Sequence, residues 1–217
     1  IAFDATLRAA APHQREREGD LAINIQTPDL REKVKERKVG SDILFVVDAS
    51  GSMGAKKRMV AAKGAILSLL TDAYQRRDRV GMVALRKDKA ETLLPLTSSL
   101  ELAHKKLREL PTGGKTPLAL GLQKGRELLE KGRDALHILV LVSDGRANVS
   151  LGGGSPLEEA KKVACQIKEE GINLTVIDTE SGPHSFGLAR EIAQACGAQY
   201  IKLGEPEAQE IVNALGG

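Results

Sequence analysis

The sequence predicts a doubly wound α/β domain, with a mostly parallel sheet, one antiparallel edge strand and helices on both faces. Three observations carry this. Short β-branched and apolar runs alternate with longer stretches of helical spacing from residue 39 onward, which is the signature of βαβ units. The run 137–142, His-Ile-Leu-Val-Leu-Val, is almost continuously apolar, as expected of a strand covered on both faces. Finally, Lys87-Asp88-Lys89 is too short to make a parallel crossover, so the runs either side of it must pair as a hairpin.

The elements follow in order. Residues 43–47 (Ile-Leu-Phe-Val-Val) read as a strand, and 56–74, free of proline with apolar and basic residues at helical spacing, read as a helix. Residues 79–85 form the next strand and 90–94 its hairpin partner. Ser99 begins a helix that runs to 110 and that Pro111 ends, and Pro117 opens another that runs to 132, with proline at its favoured first turn. Strand 137–142 follows, then helix 156–170, strand 173–177, helix 187–196, strand 198–203 and a closing helix 206–215. Gly152-Gly153-Gly154-Ser155 reads as a mobile loop.

Residues 1–40 differ and are assigned to an N-terminal arm packing on the domain, which itself spans 41–217. Residues 1–11 are alanine-rich and suit a short helix, 21–25 alternate like a half-buried strand, and 31–38 are dense in both charges. Too few apolar residues occur there for an independent core, so the arm is expected to add to the domain as an antiparallel edge element. A chain that begins at Ile1 rather than Met reads as a fragment or processed product.

Composition excludes several functions. With 217 residues, 41% hydrophobic and 28% charged, the chain has the balance of a soluble domain with a core of its own. Aromatics are only 2% with no Trp, which leaves no stacking platform for single-stranded nucleic acid. A net charge of +3 does not demand a polyanionic partner, so no nucleic acid is expected. No apolar run is long enough to span a bilayer. Cys165 and Cys196 are far apart in sequence and form no metal-binding spacing, which favours a reducing, cytoplasmic setting. Of the four histidines, His13, His104 and His184 read as exposed and His137 as a sheet-edge residue.

The chemistry concentrates in Asp48-Ala49-Ser50-Gly51-Ser52-Met53-Gly54, directly after the first strand. Asp48 falls at the carboxyl end of that strand, where open α/β sheets place their ligands. Ser50 and Ser52 follow at alternate positions, so one tight turn aims a carboxylate and two hydroxyls at a common point. An all-oxygen set of low charge suits a hard divalent cation such as Mg²⁺, which prefers octahedral oxygen and keeps part of its water. A lone Asp-x-Ser would more often be a turn or helix cap.

The complete string resembles the first metal-site loop of the von Willebrand factor A (integrin I) domains, a Rossmann-like fold. That resemblance implies two further ligands: Thr116, in Pro111-Thr112-Gly113-Gly114-Lys115-Thr116-Pro117, and Asp144, in Ser143-Asp144-Gly145-Arg146. The implied site is therefore Asp48, Ser50, Ser52, Thr116 and Asp144, holding Mg²⁺ or another divalent cation with a position left for a partner's carboxylate. With two carboxylates the cation stays under-neutralised and attracts an acidic side chain.

Competing chemistries lack their residues. Gly114-Lys115-Thr116 looks like the end of a phosphate-binding loop, but Glu109 stands where its first glycine belongs, so no nucleotide is expected in this chain. Ser50 stands where an aspartyl-phosphate enzyme needs a second carboxylate. No general base is available beyond the ligand carboxylates, and no catalysis is expected from this domain alone.

The resemblance narrows further. Asp4-Ala5-Thr6-Leu7-Arg8-Ala9-Ala10-Ala11-Pro12, residues 43–54, Leu94-Pro95-Leu96-Thr97-Ser98-Ser99, Ser143-Asp144-Gly145-Arg146-Ala147-Asn148-Val149 and Val176-Ile177-Asp178-Thr179-Glu180-Ser181-Gly182 resemble the D subunits of the magnesium chelatases. This implies a C-terminal integrin-I-like domain that works with an AAA+ ATPase I subunit and a porphyrin-binding H subunit. Together they insert Mg²⁺ into protoporphyrin IX at the expense of ATP, in the cytoplasm or, in plants and algae, the plastid stroma. The turn Leu85-Arg86-Lys87-Asp88 and the pair Pro95-Leu96 depart from the pattern. A generic von Willebrand factor A adhesion or scaffold module, and the equivalent subunit of a cobalt chelatase, are the alternatives.

Overall fold

The computed structural model describes residues 1–17, 23–33, 40–48, 55–110, 114–130, 135–180 and 186–203, with backbone alone at 55–59, 61, 62 and 65. Two compact units divide the chain, Ile1–Lys38 and Val39–Gly217. The larger unit runs β1 (Ser41–Asp48), α2 (Ala55–Arg76), β2 (Arg79–Arg86), β3 (Lys89–Thr97), α3 (Leu100–Arg108), α4 (Leu118–Glu130), β4 (Leu136–Ser143), α5 (Pro156–Glu169), β5 (Asn173–Asp178), α6 (Leu188–Cys196) and β6 (Gln199–Lys202). Helix α1 (Phe3–Ala10) belongs to the smaller unit.

The sheet order is β3-β2-β1-β4-β5-β6. Every neighbouring pair is parallel except β2 and β3, so the antiparallel edge strand expected after Lys87-Asp88 is β3. The chain leaves β1 toward β2 on one side and later returns to β4 on the other. This reversal opens a crevice at the carboxyl ends of β1 and β4, the switch point where such sheets bind ligands.

Period-2 alternation splits β1 between two cores. Ile43, Phe45 and Val47 face Ile66, Leu69, Leu70 and Ala73 of α2 with Ala103 and Leu107 of α3. Leu44 and Val46 face Leu118, Leu122 and Leu129 of α4, Ala160, Ala164 and Ile167 of α5, and Ile192 of α6. Both faces are dry, which is why β1 and β4 read as unbroken apolar runs. With so few aromatics, close packing comes from small residues. A Cβ on Gly121 would lie 2.3 Å from Leu85 Cδ2 and 3.0 Å from Val46 Cγ1, so α4 rests on the sheet through bare backbone.

The edge strand β3 is irregular. Its register against β2 shifts between Val80 and Met82 and again before Val83, and Pro95 sits within it. Gly81 opposes this stretch, and a Cβ there would lie 3.2 Å from Leu94 O. At the opposite end of the sheet, buried Asp42 forms a bidentate pair with Arg79. His137 begins the interior strand β4, so it is not at the sheet edge; its Nε2 lies 3.9 Å from Asp42. His104 is half-buried rather than exposed, and His184 lies outside the described residues.

The glycine-rich segment after β4, expected to be mobile, is hydrogen-bonded to a single carboxylate. The Glu159 carboxylate accepts backbone N–H bonds from Leu151 (2.6 Å), Gly152 (2.9 Å) and Gly154 (3.3 Å), and the Ser150 hydroxyl (2.8 Å). The glycines let the backbone curl its donors around one anion. Those amides hold the Glu159 carboxyl below the usual carboxylate range.

In the smaller unit, α1 ends at Ala10 and a 3₁₀ turn follows over Ala11–Glu16. Gln14 then acts as a clamp. Its Nε2 donates to Ala10 O (2.8 Å) and Asn24 O (3.0 Å), and its Oε1 accepts the Asn24 N–H (2.7 Å). Arg17 pairs with Asp29 and, with the Gln26 N–H, lowers the Asp29 carboxyl to about 2. Residues 23–26 are irregular backbone, because Asn24 spends its amide on Gln14 rather than on a ladder; the expected strand is absent there, and Leu21 and Ala22 lie outside the described residues. The expected closing helix 206–215 also lies outside them.

Two outcomes follow from this packing. Gly121→Ala overpacks the α4–sheet contact and lowers unfolding free energy by about 1–3 kcal/mol, measured by urea denaturation. Glu159 has a lowered folded-state pKa, so its stabilisation is complete above the ordinary value of 4.5 and is lost as pH falls through the folded value. Glu159→Gln is therefore less stable than wild type at neutral pH, and the two denaturation curves converge in acid.

Candidate metal centre

Asp48 ends β1 and is 9% exposed. Its Oδ1 accepts the Thr116 hydroxyl at 3.3 Å and its Oδ2 the Ser143 hydroxyl at 3.0 Å. Thr116 and Ser143 are each 1% exposed. Two neutral hydroxyls, from segments far apart in the chain, thus fix the carboxylate at the mouth of the crevice. Asp144, one residue beyond Ser143, is half-buried at the end of the adjacent strand.

Of the five expected ligands, the structure brings Asp48 and Thr116 into direct contact and places Asp144 beside them. Ser50 and Ser52 lie outside the described residues. Oxygen is the only donor type in this set. Among the described residues no group of three or more His, Cys, Asp or Glu is positioned to hold a metal ion.

The segments that carry Thr116 and Ser143 are each held by a second set of bonds. The Thr116 N–H donates to Asn148 Oδ1 at 2.7 Å, and the Asn148 N–H returns to Thr116 O at 3.2 Å. Ser143 Oγ also accepts the Gly145 N–H at 3.0 Å, so its proton is directed at Asp48. Gly145 has φ +78°, and a Cβ there would lie 2.2 Å from Ala189 N. Only glycine allows the loop to turn left-handed and rest on the start of α6.

Beyond Asp144 lies a chain of buried acids. The Arg146 guanidinium is 3.5 Å from Asp144 Oδ2 and 3.4 Å from Glu180 Oε1, and it stacks 5.0 Å from the Phe186 ring centroid. Burial would raise the Glu180 carboxyl, but N–H bonds from Phe186 and Gly187 at 3.0 Å and the Arg146 charge bring it below the usual carboxylate range. Asp178 accepts the Glu180 N–H at 2.7 Å and the Tyr200 hydroxyl at 2.6 Å. Burial, then Asp178, pushes the Tyr200 phenol up to about 12.

Sequence reasoning missed Ser143, Asn148 and Glu180 as supports of the crevice, and Glu159 as the anchor of the glycine loop. Ser143 and Asn148 sit inside motifs quoted for the resemblance, but their roles depend on partners 95 and 32 residues away. No spacing rule reaches that far.

Comparison with known proteins agrees with this geometry. Residues 43–146 match the family model of the von Willebrand factor type A domain, and residues 1–35 match the AAPxQ domain, whose pattern Ala10-Ala11-Pro12-His13-Gln14 spells. The chain is 40% identical to the magnesium-chelatase 67 kDa subunit of Heliobacterium mobile, over 99% of this chain and 34% of that protein. It is 47% identical to an uncharacterized protein of Methanocaldococcus jannaschii, over 74% of this chain and 95% of that one. The manganese-loaded TRAP protein of Plasmodium vivax superposes with TM-score 0.65 at 22% identity, covering 81% of this chain and 71% of that one, a likeness of fold alone. The chain spans about a third of the length of the Heliobacterium subunit. No helix among the described residues is long and apolar enough to cross a membrane. A switch-point crevice lined by Asp48, Thr116 and the Asp144 loop, together with similarity over 99% of this chain to a magnesium-chelatase subunit, shows that this chain belongs to the von Willebrand factor type A family, in the group that includes the D subunits of the magnesium chelatases.

Proposed function

We propose that this chain is the metal-dependent docking and assembly domain of a chelatase D subunit, supporting ATP-driven insertion of Mg²⁺ into protoporphyrin IX. The observation that carries the reading is the placement of Asp48 and Thr116 in contact at the switch point, with Asp144 adjacent, in a chain 40% identical to a magnesium-chelatase subunit. Asp48, Ser50, Ser52, Thr116 and Asp144 would hold Mg²⁺ or another divalent cation. The bound cation would offer an open position to a carboxylate of the AAA+ ATPase I subunit. ATP hydrolysis and porphyrin binding belong to the I and H subunits, and this domain links them in the cytoplasm or stroma.

The test is capture of the chelatase ATPase subunit by this domain in Mg²⁺, in EDTA, and with Asp48→Ala or Asp144→Ala, with circular dichroism as a check on folding. Capture that requires Mg²⁺ and is lost in folded variants supports the reading; equal capture in EDTA overturns the metal bridge. Asn148→Ala leaves all five ligands in place but frees the Thr116 amide. It should weaken Mn²⁺ binding several-fold, about 1 kcal/mol for the lost bond, read by electron paramagnetic resonance titration.

A further inference from the structure

The crevice is flanked by cations that the fold alone does not require. Strand β2 is parallel to β1, with Leu85 opposite Asp48, so the β2–β3 turn stands at the same end of the sheet as Asp48. That turn is Arg86-Lys87-Asp88-Lys89, all four exposed. Lys115, also exposed, immediately precedes the ligand Thr116. Gly114 joins the two segments: a Cβ on it would lie 2.8 Å from Lys87 N, so its loop lies directly against the turn. Arg86, Lys87, Lys89 and Lys115 thus share one surface beside the crevice.

Two features mark this surface. None of the four cations is in an ion pair among the described residues, whereas Arg79, Arg126, Arg146 and Lys161 are all paired. Asp88 in the same turn and Glu91 just beyond it are also exposed. Lys87 also has φ 56°, a left-handed backbone that glycine or asparagine would take with less strain. A lysine in that backbone conformation, at the edge of the crevice, directs attention to its charge. On the other flank, Arg146 is 53% exposed and stacked on the exposed Phe186.

We propose that Arg86, Lys87, Lys89 and Lys115 form a docking strip for an acidic polypeptide segment of a partner protein, one carboxylate of which goes to the metal. This deepens the function proposed above and rests on it for the metal contact alone. The charge complementarity is direct: a cation that attracts one carboxylate is bordered by unpaired lysines and arginine that select more of them. Polyphosphate or nucleic acid would meet the same charges, but the chain offers only 2% aromatic residues for base stacking.

Fluorescein-labelled oligoglutamate, followed by anisotropy at low ionic strength, tests this. Lys87→Gly with Lys115→Gln removes two charges while relieving the left-handed backbone, and circular dichroism checks the fold. Lys162→Gln, on an exposed position of α5, is the control. The expected result is binding strengthened by Mg²⁺ and weakened roughly tenfold in the double variant but not in the control. Absence of binding to wild type, or equal binding by the double variant, overturns the strip. Equally tight, lysine-dependent binding of inorganic polyphosphate of the same charge overturns the choice of an acidic polypeptide. Lysine-dependent binding that is identical in EDTA upholds the strip and overturns instead the metal bridge, so the two failures are distinct.

Discussion

The Asp48 carboxylate is the constraint on which the rest depends. A carboxylate that is 9% exposed at the end of a strand must be hydrogen-bonded from within, and its partners come from the two loops that close the crevice. Thr116 reaches it from the start of α4 and Ser143 from the end of β4. Fixing those two hydroxyls fixes the loops that carry them, and the sheet order brings β1 and β4 side by side. The core is therefore built on both faces of a strand whose last residue is also the first candidate ligand.

Around this point the supports are mostly backbone amides rather than opposite charges. Asn148 grips Thr116 through its main chain, Gly145 grips Ser143, and Glu180 and Glu159 each gather several N–H groups. A carboxylate satisfied by fixed amides orders a loop without screening by salt. Arg146 is the exception, placed between Asp144 and Glu180.

Most of the framework was legible in the sequence because periodicity reports burial. The runs at 43–47 and 137–142 announced β1 and β4, and the short turn at Lys87-Asp88 announced the antiparallel edge strand. Asp48 could be placed at a strand end from the apolar run before it, whereas Thr116 and Asp144 were suggested by the family resemblance rather than by any local pattern. What could not be read were contacts that link distant segments: Gln14 with Asn24, Glu159 with the glycine loop, and Asn148 with Thr116. Glycines at 152–154 suggested mobility, yet the same freedom lets the amides wrap a carboxylate. In residues 21–25 an alternating pattern predicted a strand, but a side-chain amide took the backbone donor that a ladder would need.

The broken register of β3 has a consequence for how the molecule associates. Pro95 has no N–H to offer, and the shifts between Val80 and Val83 bend the strand away from a straight ladder. An incoming chain seeking to lengthen the sheet would find the spacing wrong and a donor missing. At the far side, β6 has only four residues. Growth by strand addition, the route to domain swapping and fibre formation, thus meets an irregular template on one side and a short one on the other.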